Sequence, residues 1–125
     1  MKHVAITFLL LAGLSAFAGR KPIHTGQVEL SEGHTLEQVS KAIKKSLAGR
    51  GWTLLESKDN EITARLNLRS HMAKVRFEFD TKNVTIHYVD SKNLDFKEKK
   101  GVKKIHRNYN KWIYNLERDI SNHLI

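Results

Sequence analysis

Between Glu61 and Asp90 the chain alternates apolar and polar residues in three successive runs, and a period of two dictates a β-meander with one dry and one wet face. The first run sets Ile62, Ala64, Leu66 and Leu68 against Thr63, Arg65, Asn67 and Arg69. The second sets Ala73, Val75, Phe77 and Phe79 against Lys74, Arg76, Glu78 and Asp80, and the third sets Val84, Ile86 and Tyr88 against Thr85, His87 and Val89. Polar breaks at Ser70-His71 and Thr81-Lys82-Asn83 supply the turns. Taking Ser70-His71 as a two-residue loop predicts the core pairs Leu68 with Ala73, Leu66 with Val75, Ala64 with Phe77 and Ile62 with Phe79. Pairing Phe79 with Val84 then sets Phe77 opposite Ile86. On the wet face it predicts one row of Arg65, Arg76 and His87, whose like charges repel unless something anionic lies over them.

A sheet with one dry face needs a cover, and two segments have the period to provide it. Thr35 followed by Gln38 has the form of a capping box, and Leu36, Val39, Ile43 and Leu47 recur at helical spacing up to Gly49, a natural C-terminal cap. The opposite face carries Lys41, Lys44 and Lys45, which read as solvated. The second segment runs from about His106 to Asn122, with Tyr109, Trp112, Ile113, Leu116 and Ile120 as its apolar stripe. Between the helices and the meander, Gln27 to Leu30 and Trp52 to Ser57 read as further strands, with Trp52 pinning the first helix to the sheet. About fourteen polar residues after Asp90 read as a loop, longer than compact domains usually carry.

The start of the chain reads as an address. Lys2 and His3 precede an uncharged apolar run from Val4 to Leu14, and Ala16-Phe17-Ala18 places small residues where a signal peptidase reads them. The expectation is a signal peptide over residues 1–18, a flexible basic leader over 19–26, and a single domain over 27–125. The apolar run is too short to span a bilayer, and no cysteine follows it to carry a lipid. The expected destination is the periplasm or the exterior, without a lipid anchor. With Lys2 removed, 21 basic residues face 13 acidic ones, a net charge of +8 with histidine neutral. Such a balance favours anionic partners, and equally serves plain solubility. The chain has no cysteine, so its stability rests on the core alone.

An up-down-up meander returns its first turn and its third-strand exit to the same end of the sheet. That places Arg69, Ser70 and His71 beside Asp90, Ser91 and Asn93. Ser-His is a poor two-residue turn, which ordinarily takes Gly or Asn; a site held against turn chemistry and a longer loop without a role both remain open. Lys97, Lys99, Lys100, Lys103, Lys104 and Arg107 crowd the approach to the last helix and Lys111 lies within its first turns, against the helix dipole, an arrangement that a bound anion would reward. His106, Tyr109 and Asn110 would close the site if the long loop folds back. Lysines spreading into solvent explain the same crowding without a ligand.

Ser70, His71 and Asp90 contain the letters of a catalytic triad, but no nucleophile elbow accompanies them. The six histidines that remain after Ala18 show neither His-x-His nor His-x-x-x-His spacing, so neither metal nor other cofactor is expected. There is no phosphate-binding glycine loop. Nucleic acid is a poor fit, because aromatic residues interleave with lysine only in the last helix, where burial claims them.

Four blocks, Gly51-Trp52, Leu66 to His71, Tyr88 to Leu94 and Ile105 to Ile113, resemble a family of small uncharacterised exported proteins and lipoproteins of Gram-negative bacteria. The resemblance covers about Leu36 to Ile120. It implies an α+β domain with helix, antiparallel strands and closing helix, and it implies no activity. The lipid-attachment cysteine of the lipoprotein members is missing here.

The expected fold is therefore a two-layer α+β sandwich, an antiparallel sheet of four to five strands with two helices, about 35–48 and 106–122, on one face. The expected function is non-enzymatic binding of an anionic small ligand, envelope glycan or lipid headgroup. Arg69, Ser70, His71, Asp90, Ser91, Asn93, His106, Tyr109 and Asn110 are the candidate contacts. The alternative is a protein-interaction subunit of an envelope complex, using the polar sheet face with Arg65, Arg76 and His87, which with Lys103, Lys104 and Arg107 make up the expected basic patch.

Overall fold

The computed structural model describes residues 19–125, so the expected signal peptide lies outside the described residues. The chain forms β1 (Arg20–Pro22), β2 (Gly26–Glu29), α1 (Leu36–Gly49), β3 (Thr53–Lys58), β4 (Glu61–Leu68), β5 (His71–Phe79), β6 (Asn83–Lys92), β7 (Lys97–Lys99), β8 (Val102–His106) and α2 (Arg107–His123). Five strands make one antiparallel sheet in the order β2-β6-β5-β4-β3, and the meander is its centre. Both helices cover its dry face, giving the two-layer α+β sandwich. A second antiparallel sheet, β1-β8-β7, was not expected.

The alternation of the meander is realised except at Leu68, which is exposed at the end of β4. Ile62, Ala64, Ala73, Val75, Phe77, Val84 and Ile86 are completely buried beneath Val39, Ile43, Ile113, Leu116 and Ile120. Each large aliphatic or aromatic side chain so placed contributes about 1.5–3 kcal/mol relative to exposure. Gly26 marks where α2 comes closest to the sheet. A Cβ there would lie 2.7 Å from Ile113 Cγ2 and 2.9 Å from Ile86 Cβ, so only glycine fits without displacement.

α1 begins on the capping box, with Gln38 N–H donating to Thr35 Oγ1 and Thr35 N–H to Gln38 Oε1. Its end differs from the expected cap at Gly49. Gly49 is the last helical residue, Arg50 is the C-cap, and Gly51 takes the left-handed conformation at φ +78°. Gly51 N–H donates to Ala48 O while Trp52 N–H donates to Leu47 O, the paired bonds of a Schellman ending. That turn drives Trp52 into the core.

The first hairpin is shifted from its expected register. Leu68 pairs with His71, Leu66 with Ala73, Ala64 with Val75 and Ile62 with Phe77. The turn is Arg69-Ser70, with Arg69 in the left-handed region at φ +57°. The slip is two residues, so every core side chain stays on the dry face. It does break the expected polar row. Arg76 lies opposite His87 as expected, but its partner on β4 is Thr63, while Arg65 pairs with Lys74. Glu61 and Glu78 reach Arg76 at 3.7 Å each, and Glu78 reaches the His87 ring at 3.3 Å. Carboxylates of the chain itself thus supply the charge that the row needs.

Two segments read as unstructured are strands. Arg20–Pro22 pairs with β8, Arg20 opposite His106 and Pro22 opposite Lys104, so the expected leader is part of the fold. The expected long loop after Asp90 is the end of β6 followed by the β7-β8 hairpin. Leu94 and Ile105, both buried, fasten that hairpin to the body.

Candidate functional site

The meander does bring its first turn to the exit of its third strand. Asn93 Nδ2 donates to Ser70 Oγ at 2.7 Å, and His71 Nδ1 donates to Asn93 O at 2.6 Å. Because a carbonyl only accepts, His71 carries its proton on Nδ1 and leaves Nε2 as a free lone pair when neutral. His106 is the reverse. Its Nδ1 accepts from Asn108 N–H and caps α2, which leaves a proton on Nε2. The two rings lie 6.3 Å apart, and Trp112 stands 6.4 Å from His71.

The other expected contacts divide. Asp90 lies opposite Lys74 on the wet face, its carboxylate accepting from Ser91 N–H, while Ser91 lies opposite Ala73 on the dry face and bonds Tyr88 Oη at 2.7 Å. Adjacent residues of a strand point to opposite faces, so one ligand does not meet both. Tyr109 is fully buried, 5.7 Å from the Tyr88 ring, with its hydroxyl unpartnered. Burial, with the nearby Tyr88 adding to it, pushes that hydroxyl far above the ordinary tyrosine range. Burial raises Tyr88 as well, against the bond from Ser91. Asn110 holds β1 and β2 in place, accepting from His24 N–H and donating to Pro22 O at 3.0 Å each. Arg69 is exposed at the turn.

Catalytic geometry is lacking at this rim. The hydroxyl of Ser70 is bonded to Asn93, and the His71 nitrogen beside it is bonded to a carbonyl, so no base is aligned on a nucleophile. Among the described residues no group of three His, Cys, Asp or Glu side chains could hold a metal. The N-terminus of α2 is partly spent, since Arg107 N–H donates to Gly19 O and Asn108 N–H to His106. Among the described residues, no helix is long and apolar enough to cross a membrane.

A cationic concavity lies next to this rim. Arg20, Lys97, Lys99, Lys100, Val102 and Lys104 line a groove of about 390 Å³ on the β1-β8-β7 sheet. Lys104 stands between Pro22 and Lys97 in the register, and Lys99 faces Val102. Two lysines directly opposite each other repel, and among the described residues no carboxylate forms an ion pair with any of the five cations. The one acid of the hairpin, Glu98, pairs in register with Lys103 on the other face. His106 shares the groove face opposite Arg20, joining it to His71. Of the cations expected to crowd the approach to the last helix, Lys97, Lys99, Lys100 and Lys104 line the groove; Arg20, read as part of a flexible leader, was missed, because its place beside β8 leaves no mark in the local sequence.

Comparison with known proteins attaches no family to this geometry: no family model matches the chain, and neither a curated protein nor a solved structure matches it.

Proposed function

We propose that the protein is a non-enzymatic binding module of the cell envelope, exported by a signal peptide at residues 1–18, and that it engages an anionic component on the β1-β8-β7 face. The observation that carries this reading is the contrast between two cationic rows. Across the main sheet, Arg76 and His87 are neutralised by Glu61 and Glu78. Across the groove, Lys97 and Lys104 face each other without a carboxylate. A fold that compensates repulsion in one place and leaves it standing in another reserves the second place for an external anion. The rim of Arg69, Ser70, His71 and Asn93 adjoins the groove through His106 and extends the cationic side of the molecule. The same contrast speaks against a protein partner seated on Arg76 and His87; it does not extend to Arg65, which lies opposite Lys74.

Two charge reversals of equal size test the reading. Lys97→Glu/Lys99→Glu/Lys104→Glu changes the groove, and Lys41→Glu/Lys44→Glu/Lys45→Glu changes the solvated face of α1. Both lower the net charge by the same amount. With a soluble polyphosphate as probe at low salt, the groove variant is expected to lose at least about a hundredfold in affinity, three phosphate-facing lysines at about fivefold each. The helix variant is expected to lose less than about threefold. Equal losses would mean that net charge alone is responsible.

A further inference from the structure

From the chemistry of the groove, and resting on the anionic reading above, we infer that its occupant is the anionic headgroup layer of a lipid bilayer, with Val102 seated among the headgroups at the centre of the lysines. Three features separate a lipid surface from a small free anion.

The first is shape. Every residue from Lys97 to Lys104 is exposed, so the hairpin projects from the body as a two-stranded finger while Leu94 and Ile105 hold its base. A small anion is held by converging, fixed donors. Here the donors are flexible ammonium groups without partners to orient them, which suit diffuse charge spread over a plane.

The second is Val102. It is 51% exposed, lies opposite Lys99 and follows directly on the turn. An apolar side chain ringed by cations adds nothing to the capture of phosphate in water. At a bilayer surface it leaves water while lysine stems lie along the interface and their heads meet phosphates. The groove walls are those same methylene stems.

The third is the turn. Lys100 and Gly101 both have positive φ, +53° and +79°, the backbone of a two-residue hairpin turn whose first position ordinarily takes Asn, Asp or Gly. Lysine at that position places a charge at the tip of the finger at a conformational cost.

The test uses the protein purified after export, its N-terminus read by mass spectrometry, with three probes. These are vesicles of phosphatidylcholine alone, vesicles of phosphatidylcholine with one third phosphatidylglycerol, and a soluble polyphosphate. Co-sedimentation with the anionic vesicles and not with the neutral ones is expected. Val102→Ser should weaken vesicle binding about fivefold, through the loss of half-buried apolar surface, and leave polyphosphate affinity unchanged. Lys97→Gln/Lys99→Gln should weaken vesicle binding about 25-fold, at roughly fivefold per lysine near an anionic leaflet. Groove-dependent polyphosphate binding without vesicle binding would overturn the lipid inference and leave the anionic reading standing. So would vesicle binding indifferent to Val102→Ser, with circular dichroism confirming the fold of each variant. Failure of both anionic probes would end both.

Discussion

At the scale of single residues, the structure separates side chains that hold the fold from side chains left for something else. Asn93, Asn110 and His106 are spent on internal bonds: to Ser70, to the β1-β2 segment and to the α2 cap. Tyr109 is different. Its ring fills the core while its hydroxyl has no partner, and an unsatisfied buried hydroxyl costs about 1–3 kcal/mol. Tyr109→Phe keeps the ring and removes the orphan, so chemical denaturation should show equal or greater stability, by up to about 1 kcal/mol. A loss of more than about 1 kcal/mol would show that the hydroxyl is bonded in solution, through an ordered water. The substitution is also expected to leave anion binding unchanged, because the hydroxyl is sealed away from the rim where the sequence had suggested a contact.

At the scale of elements, each helix is tied by a charged pair beside its apolar stripe. Arg50, at the end of α1, donates two bonds to Asp119 of α2, at 2.7 and 3.1 Å. That bond holds the Asp119 carboxyl below its ordinary 3.8, with the positive field of Arg50, Arg118 and His123 adding to it and partial desolvation opposing it. Asp80 is held low as well, by the N–H groups of Lys82 and Asn83 that close the β5-β6 turn. The sign follows from linkage. A carboxyl depressed in the folded state stabilises it above the unfolded value, near 3.8, and the contribution disappears as pH falls through the folded value. Thermal midpoints measured from pH 6 to pH 2 should therefore fall below about pH 4. Asp119→Asn should lower the midpoint slightly at pH 6 and flatten the fall, by a small amount because the pair is in contact with water. A midpoint that rises toward pH 2 would contradict this assignment.

The same scale explains what could be read from the chain beforehand. The meander, both helices and the capping box of Thr35 and Gln38 rest on local patterns, apolar periodicity and a four-residue cap, and all of them are present. The hairpin register slipped by two because Arg69, rather than a glycine or asparagine, occupies the left-handed turn position. Strands β1, β7 and β8 carry almost no apolar alternation. Only Ile105 within them is buried, and β1 meets β8 across most of the chain. Such strands form because a distant backbone offers hydrogen bonds, and Asn110 helps to hold them there. No local pattern announces that. The candidate site inherits the same difficulty: Ser70, His71, Asn93 and His106 meet as the topology required, while the groove depends on three strands that the pattern does not reveal.

At the scale of the whole molecule, the cations are unevenly compensated. On α1, Lys41 and Lys45 border a smaller hollow shared with His34, Gln38 and the C-terminal residues Leu124 and Ile125, and on the wet face of the main sheet Glu61 and Glu78 reach Arg76. Among the described residues, the small sheet presents Arg20, Lys97, Lys99, Lys100 and Lys104 around one concave groove with no acidic side chain in its lining. Electrostatic steering toward an anionic surface would orient the molecule with that sheet foremost and the β2-β3 breadth of the main sheet turned away. The dependence on salt should be correspondingly steep, since exposed lysines are screened within about 10 Å at 0.1 M ionic strength.

The most direct measurement is a backbone amide map by heteronuclear NMR, recorded while a soluble polyphosphate is titrated into the isotope-labelled protein at low salt. The amides of Arg20, Lys21 and Lys97 to His106 should shift first and furthest, with those of Ser70 and His71 following. Largest shifts at Lys41, Lys44 and Lys45, or shifts spread evenly over every lysine, would contradict the assignment of the β1-β8-β7 face as the binding surface.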